Sequence, residues 1–421
     1  MKLRTIIISL LVIILLVGAG WAYWHFLMGP STVPVTVTPG TNPTFKPISR
    51  PTSSTTPSRT GNTIDLGGTD NGNTPKNNPI STLRLLSDTP VGGYGVITTG
   101  ATTTVRWVDR GRGNIYEATD VSPTITTLSN TIVPKIVTSI WNKNLTAFIG
   151  SLFQESAEVL STIYAQLTPR ASTTQSVAPY ELRGKNIAGK MVGYAVSPDK
   201  TRVFMYMNES GMGTGYIASF DGKNMTKIFS NPLIQVSVDW PSDTTVTVTT
   251  KGSAAFNGYM YFVNPKSGVW TKVLGPIRGL GAVASHDAKN ILYSMTGENN
   301  DVSTYIYNIT KGTTQDAVIR TMAEKCAWGN LIKTVVYCGV PSPGVSGTYP
   351  DDWYRGTLAT TDKIWQFNTV NNSVHLISSP IDSSDRSLNT FNVTLSDKDT
   401  YLLFMNKNDL SLWSLDLVKT R

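Results

Sequence analysis

The chain has 421 residues, only 15% of them charged, and a formal net charge of +8. Gly, Thr, Ser and Asn recur between short apolar runs, a composition that suits a turn-rich sheet protein and excludes a helical bundle. The charge is scattered, with no block of five or six like charges, so a nucleic-acid partner is not expected; a mildly basic surface beside an anionic envelope or polyanion is.

Lys2 and Arg4 precede an apolar run, residues 5–28, whose one ionisable group is His25. A run of that length exceeds the ~20 residues needed to cross the hydrocarbon core of a bilayer. The leading cations predict a cytoplasmic tip, residues 1–4, and a single transmembrane signal anchor with everything after it outside the cytoplasm. Trp21, Tyr23, Trp24 and Phe26 gather at the outer end, where amphipathic rings favour the membrane interface. The competing reading is a cleaved signal peptide ending near Val17, Gly18 and Ala19. An aromatic continuation suits an anchor better than a cleavage site. On either reading the body is exported, to a cell surface or a periplasm.

Residues 29–79 read as a Pro/Thr/Ser-rich linker. Of residues 30–79, 9 are Pro and 17 are Ser or Thr, and Phe45 is the one aromatic. Such a stretch cannot bury enough apolar surface to offset its ordering entropy, so it predicts an extended, disordered stalk. Asp65, Asp70, Asn71 and Asn73 lack the spacing of a calcium loop.

From residue 80 the chain repeats itself. An apolar strand, a polar turn and a second β-rich strand occur at 194–206, 283–293 and 393–404, with weaker copies at 137–149, 236–248 and 326–337. Ser, Asp, Asn and Lys at the turn are what a tight antiparallel connection demands. Third strands follow at 216–220, 259–264, 305–309, 363–368 and 410–415, and fourth strands at 226–229 and 270–274. Four antiparallel strands per ~40–45 residues make the blade of an all-β propeller. The turn Ser197-Pro198-Asp199-Lys200 resembles the signature of WD40-like repeats in TolB-type bacterial envelope propellers. That resemblance implies a fold for residues 80–421 and no particular activity.

First strands near 95, 137, 193, 236, 283, 326 and 392 predict seven blades. The phrase at 128–133, Leu-Ser-Asn-Thr-Ile-Val, follows a fourth strand, and its near copy at 86–91 precedes any first strand. The last blade meanwhile stops one strand short. Residues 82–87 are therefore expected to complete it and close the ring.

Cys326 and Cys338 lie at equal distances from residue 332, so antiparallel pairing would oppose them, and an exported chain favours a disulfide. The histidines, at 25, 286 and 375, offer neither cysteine a zinc site or a nucleophile's partner. No serine-hydrolase elbow occurs. The aspartates at 199, 243, 287 and 397 fall at turn ends, where Asx-turns explain them. No catalytic residue, cofactor or metal is implied.

The most distinctive stretch is an insertion in the sixth blade. It gathers Tyr349, Trp353, Tyr354 and Arg355, residue types typical of recognition hot spots, beside Asp351 and Asp352 in a Gly/Pro-rich loop. Two readings stand: a partner-facing surface, or a loop in which Trp353 packs and the carboxylates cap turns. The function expected is a non-enzymatic protein- or glycan-binding scaffold of the cell envelope. The alternative is a propeller-fold hydrolase acting on envelope glycans or peptides.

Overall fold

The computed structural model describes residues 82–154, 159–171, 178–342, 344 and 347–419. The expected anchor, 5–28, and linker, 29–79, lie outside them. Among the described residues no helix is long and apolar enough to cross a membrane.

Strand β1 (Leu83–Ser87) comes first. A first meander holds β2 (Val91–Thr99), β3 (Thr102–Asp109), β4 (Ile115–Thr119) and β5 (Ser122–Ser129). The second holds β6 (Ile136–Trp141), β7 (Ala147–Gln154), β8 (Val159–Pro169) and β9 (Tyr180–Ile187). The third holds β10 (Lys190–Val196), β11 (Arg202–Glu209), β12 (Met212–Ser219) and β13 (Thr226–Asn231). The fourth holds β14 (Val236–Ser242), β15 (Thr245–Thr250), β16 (Asn257–Val263) and β17 (Trp270–Arg278). The fifth holds β18 (Gly281–Ala284), β19 (Asn290–Thr296), β20 (Val302–Asn308) and β21 (Thr313–Asp316). The sixth holds β22 (Cys326–Trp328), β23 (Val335–Pro341), β24 (Asp362–Asn368) and β25 (Ser373–Ser378). A closing sheet combines β26 (Thr390–Leu395), β27 (Tyr401–Asn406) and β28 (Leu412–Asp416) with β1.

Strand β1 runs antiparallel to β28, with Leu83 opposite Leu415 and Leu85 opposite Trp413, as the repeated phrase predicts. The count of seven separate blades needs correction. Five sheets are four-stranded blades, and β2 to β9 form one eight-stranded sheet. The reason is the long β8–β9 hairpin, whose outer strand meets its neighbour through a parallel bridge, Ser129 to Tyr180. The Leu182 amide donates to Thr131 Oγ1 at 2.9 Å and Arg170 to Asn130 Oδ1 at 3.0 Å, which fixes that junction.

A sheet held between two others must be apolar on both faces, and period-two alternation decides which residue goes where. In β11, Val203, Met205 and Met207 pack with Ala147 and Ile149 of the second meander. The residues between them, Phe204 and Tyr206, pack with Val246 and Val248 of the fourth. Burying each such side chain contributes about 1.5–3 kcal/mol. Similar clusters join every sheet to the next, and the last joins the first through Leu403, Met405 and Leu412 against Tyr94, Val96 and Trp107. First strands touch one another around the axis, β2 with β6, β10 with β14 and β22 with β26. The turns between first and second strands thus collect at one end of the ring, and the loops between second and third strands at the other.

Cys326 and Cys338 are opposite partners in the β22–β23 ladder and are joined by a disulfide. At the turn end, Ser197 Oγ accepts from the Arg202 amide at 3.0 Å and donates to Asp199, while Lys200 takes the left-handed region at φ 56°. Ser285, Asp287 and Ala288 repeat the arrangement. The turn of the closing sheet differs. Asp397 accepts from the Thr98 amide of the first meander at 2.8 Å, and Asp399 accepts from the amides of Asn330, Leu331 and Ile332 of the sixth at 2.8 to 3.1 Å. One turn clamps both neighbours. Asp399→Ala removes three charge-assisted bonds at once and is expected to cost about 2 kcal/mol. A lower urea midpoint with unchanged slope would report this, and an unmoved midpoint would show that the clamp adds nothing.

Candidate functional site

The insertion between β23 and β24 occupies the loop end. Its helix α1 (Asp351–Arg355) is short, with acidic residues in its first turn and Arg355 in its last, the order the helix dipole favours. Asp352 Oδ2 accepts from the Thr348 amide at 2.8 Å. Gly356, in the left-handed region at φ 78°, ends the helix.

Four of the six singled-out residues are spent on anchoring α1. Asp351 accepts from Ser253 Oγ at 2.8 Å and the Ala254 amide at 2.7 Å, both in the fourth meander. The Tyr349 carbonyl accepts from Thr296 Oγ1 of the fifth at 2.7 Å. Tyr354 Oη donates to Glu324 Oε1, just before the sixth. Trp353 is 5% exposed, and its Nε1 donates to Asn389 Oδ1, beside the closing sheet, at 2.8 Å. Two ammonium groups stand over its ring, Lys407 at 4.8 Å and Lys325 at 5.5 Å from the centroid. Asp352 serves the helix itself. Arg355 alone projects, with 67% of its side chain exposed and a 3.3 Å contact to Asp352. The insertion is thus a strap crossing one end of four consecutive sheets.

Beneath the strap lies a polar group that single-sequence reading missed. Lys325 is fully buried, and its Nζ donates to Asp362 Oδ2 and Thr360 Oγ1 at 2.7 Å and to Asn389 Oδ1 at 2.9 Å. Asp362 Oδ2 accepts further from the amide and hydroxyl of Thr390. Burial pulls the Lys325 ammonium below its ordinary value, with Asp362 opposing. Gly339 makes room: a Cβ there would run into Thr390 Oγ1 and come within 3.1 Å of Asp362 Oδ2. A charge pair at the ends of apolar strands was the available signal, in Lys325 and Asp362.

Glu324 is the other. As a residue it is only half-buried, yet its Oε2 is enclosed against Gly281 and meets no hydrogen-bond partner. Burial raises its pKa, and the Tyr354 hydroxyl counters only in part. Among the first strands, Thr138 of β6, Ser237 and Asp239 of β14 and Asn392 of β26 are exposed polar residues. Asp239 is reached by solvent but hemmed in by the strands, and burial raises its pKa too, with the Trp240 amide and then His286 opposing. Among the described residues no group of three or more His, Cys, Asp or Glu is placed to hold a metal ion.

The sequence matches no family model and no curated protein. Solved structures do match. An oligogalacturonate lyase from Vibrio parahaemolyticus aligns with a TM-score of 0.51 at 11% identity, over 79% of this chain and 93% of that one. The fold is a β-propeller. The propeller domain of the trilobed protease from Pyrococcus furiosus aligns at 0.46 with 12% identity, over 76% of this chain and 94% of that one. TolB from Acinetobacter baumannii aligns at 0.41 with 12% identity, over 63% of this chain; the match spans 59% of the TolB chain. At such identities the likeness is one of fold alone.

Two outcomes are expected of this propeller's strap. Trp353→Ala empties a buried site and breaks the Asn389 bond, so it should cost about 3–5 kcal/mol in denaturant melts; a loss under about 1 kcal/mol would show that the strap is held elsewhere. Glu324 binds its proton more tightly folded than unfolded. Its contribution is therefore fully present below the ordinary value of 4.5 and is lost as pH rises through the raised folded value. Glu324→Gln should flatten the fall in melting temperature as pH rises above the ordinary value of 4.5. Parallel curves for the two proteins would remove Glu324 as the cause.

Proposed function

We propose that this propeller is an exported, membrane-tethered binding module of a cell envelope, holding a protein or glycan partner at its loop end. The observation that carries the reading is how the strap's polar groups are used. Asp351, Asp352 and Asp362 each accept several bonds from the protein itself, and Tyr349 and Trp353 are buried. What remains outward is a rigid frame with Arg355 on it, and a preorganised surface loses little entropy on binding.

Composition supports the same reading. The apolar run 5–28 and the Pro-rich 29–79 supply the tether, and the basic balance suits an anionic envelope.

One observation favours the hydrolase reading. Glu324, held above its usual pKa beside Tyr354, has the character of a general acid.

The test uses the full chain in membranes. Carbonate washing should leave it bound. Arg355→Glu should weaken capture of its envelope partner about tenfold while the melting temperature stays put, as for a rim charge near a hot spot. Turnover of envelope glycan or peptide that disappears in Glu324→Gln, with capture unaffected by Arg355→Glu, would replace binding with catalysis.

A further inference from the structure

A second surface lies across the first two meanders, on the loop end but away from the strap. The tip between β3 and β4 reads Arg110-Gly111-Arg112-Gly113. Asp109 Oδ1 accepts from the Arg112 amide at 2.6 Å, and Gly113 stands at φ 79°, where a Cβ would run into the Val133 carbonyl. Glycine lets the tip lie flat on the loop that leads to β6. Backbone bonds then sew the two together: Val133 to Arg112 at 2.8 Å, Lys135 to Arg110 at 3.0 Å and Phe153 to Lys135 at 3.0 Å.

The result is a trough of about 770 Å³. Pro90, Val137, Phe153 and Leu160 line it, with Phe153 39% and Leu160 51% exposed, and Arg110 and Arg112 stand over that apolar floor. Asp109 is the acidic group in the lining, and its Oδ1 is turned to the tip's own backbone. Arg110 uses one donor on the Val137 carbonyl, at 3.4 Å, and a guanidinium has five.

We propose that this trough binds an acidic peptide segment of a partner, with carboxylates on Arg110 and Arg112 and apolar side chains on Phe153 and Leu160. Planar guanidinium forks match carboxylates in pairs, and the trough has the volume of a small-ligand site. A membrane engages apolar residues that protrude, whereas these line a concavity between two sewn loops. The proposal rests on the reading of the ring as a binding module, at a different surface from α1.

The experiment measures fluorescence anisotropy of a labelled Gly-Asp-Phe-Asp-Leu-Gly peptide with the full chain in detergent. Its Asn-for-Asp counterpart is measured alongside, and sedimentation with phosphatidylcholine vesicles with and without phosphatidylglycerol is run in parallel. The acidic peptide should bind, with the Asn peptide, Arg110→Ala with Arg112→Ala, and Phe153→Ser each about tenfold weaker or more. Equal binding of the two peptides, full binding by the double arginine variant, no binding at all, or preference for the anionic vesicles would each overturn the proposal. The peptide reads the trough and envelope capture reads α1, so either can fail while the other stands.

Discussion

The ring holds because its last sheet takes its outer strand from the other end of the chain. Without β1, the β28 edge would lie open, and Leu83 and Leu86 would leave the clusters that bind the closing sheet to its two neighbours. An open edge both loses ladder bonds and invites pairing with another chain. Closure also makes the sheets interdependent: each is stable only when both faces are covered, and a circle covers every face. The Asp397 and Asp399 clamps sit on the closing sheet, where that mutual dependence is completed.

Closure explains why the strap can carry so many polar groups. Burying the Lys325 ammonium and the Asp362 carboxylate costs several kcal/mol per ion unless nearly every donor and acceptor is met. Here three acceptors surround Nζ, and Thr390 adds two donors to Asp362. Such geometry needs walls that do not move, and sheets wedged in a ring provide them. In return the network gives Trp353 a fixed floor and Asn389 a fixed orientation, because Asn389 Oδ1 is shared by Lys325, Thr360 and Trp353.

Much of this was legible in the sequence because it is local. Alternation of period two placed the strands, Ser and Asp at the turns placed the hairpins, and the cysteine spacing placed the disulfide. The copied phrase at 86–91 revealed closure. The joined first and second meanders were not legible, since the bridge that joins them pairs Ser129 with Tyr180, which lie far apart in the chain. Nor was the direction of the strap's side chains. Asp351 bonds residues 97 and 98 positions away, and Tyr354 one 30 positions away, separations that no local pattern encodes. Aromatic and acidic residues in a Gly/Pro loop look alike whether they face a partner or their own fold.

That ambiguity has a physical resolution in how much bonding capacity each side chain has left. A group that recognises or transforms a partner must keep donors, acceptors or a proton for it, and a group that holds a fold spends them on neighbours. By that measure Asp351, Asp352 and Trp353 belong to the fold. Arg355 contacts the carboxylate of its own helix, and among the described residues Glu324 keeps an oxygen unpaired and holds its proton tightly. The two differ in kind: one is a charge at the rim, suited to selecting a partner by complementarity, the other an enclosed acid whose charge the ring resists. A binding surface needs only the first. The second earns a chemical role only where a ligand can enter and reach Oε2, which lies pressed against Gly281 on the innermost strand of its sheet. The frame that makes the rim rigid is the same one that encloses the acid.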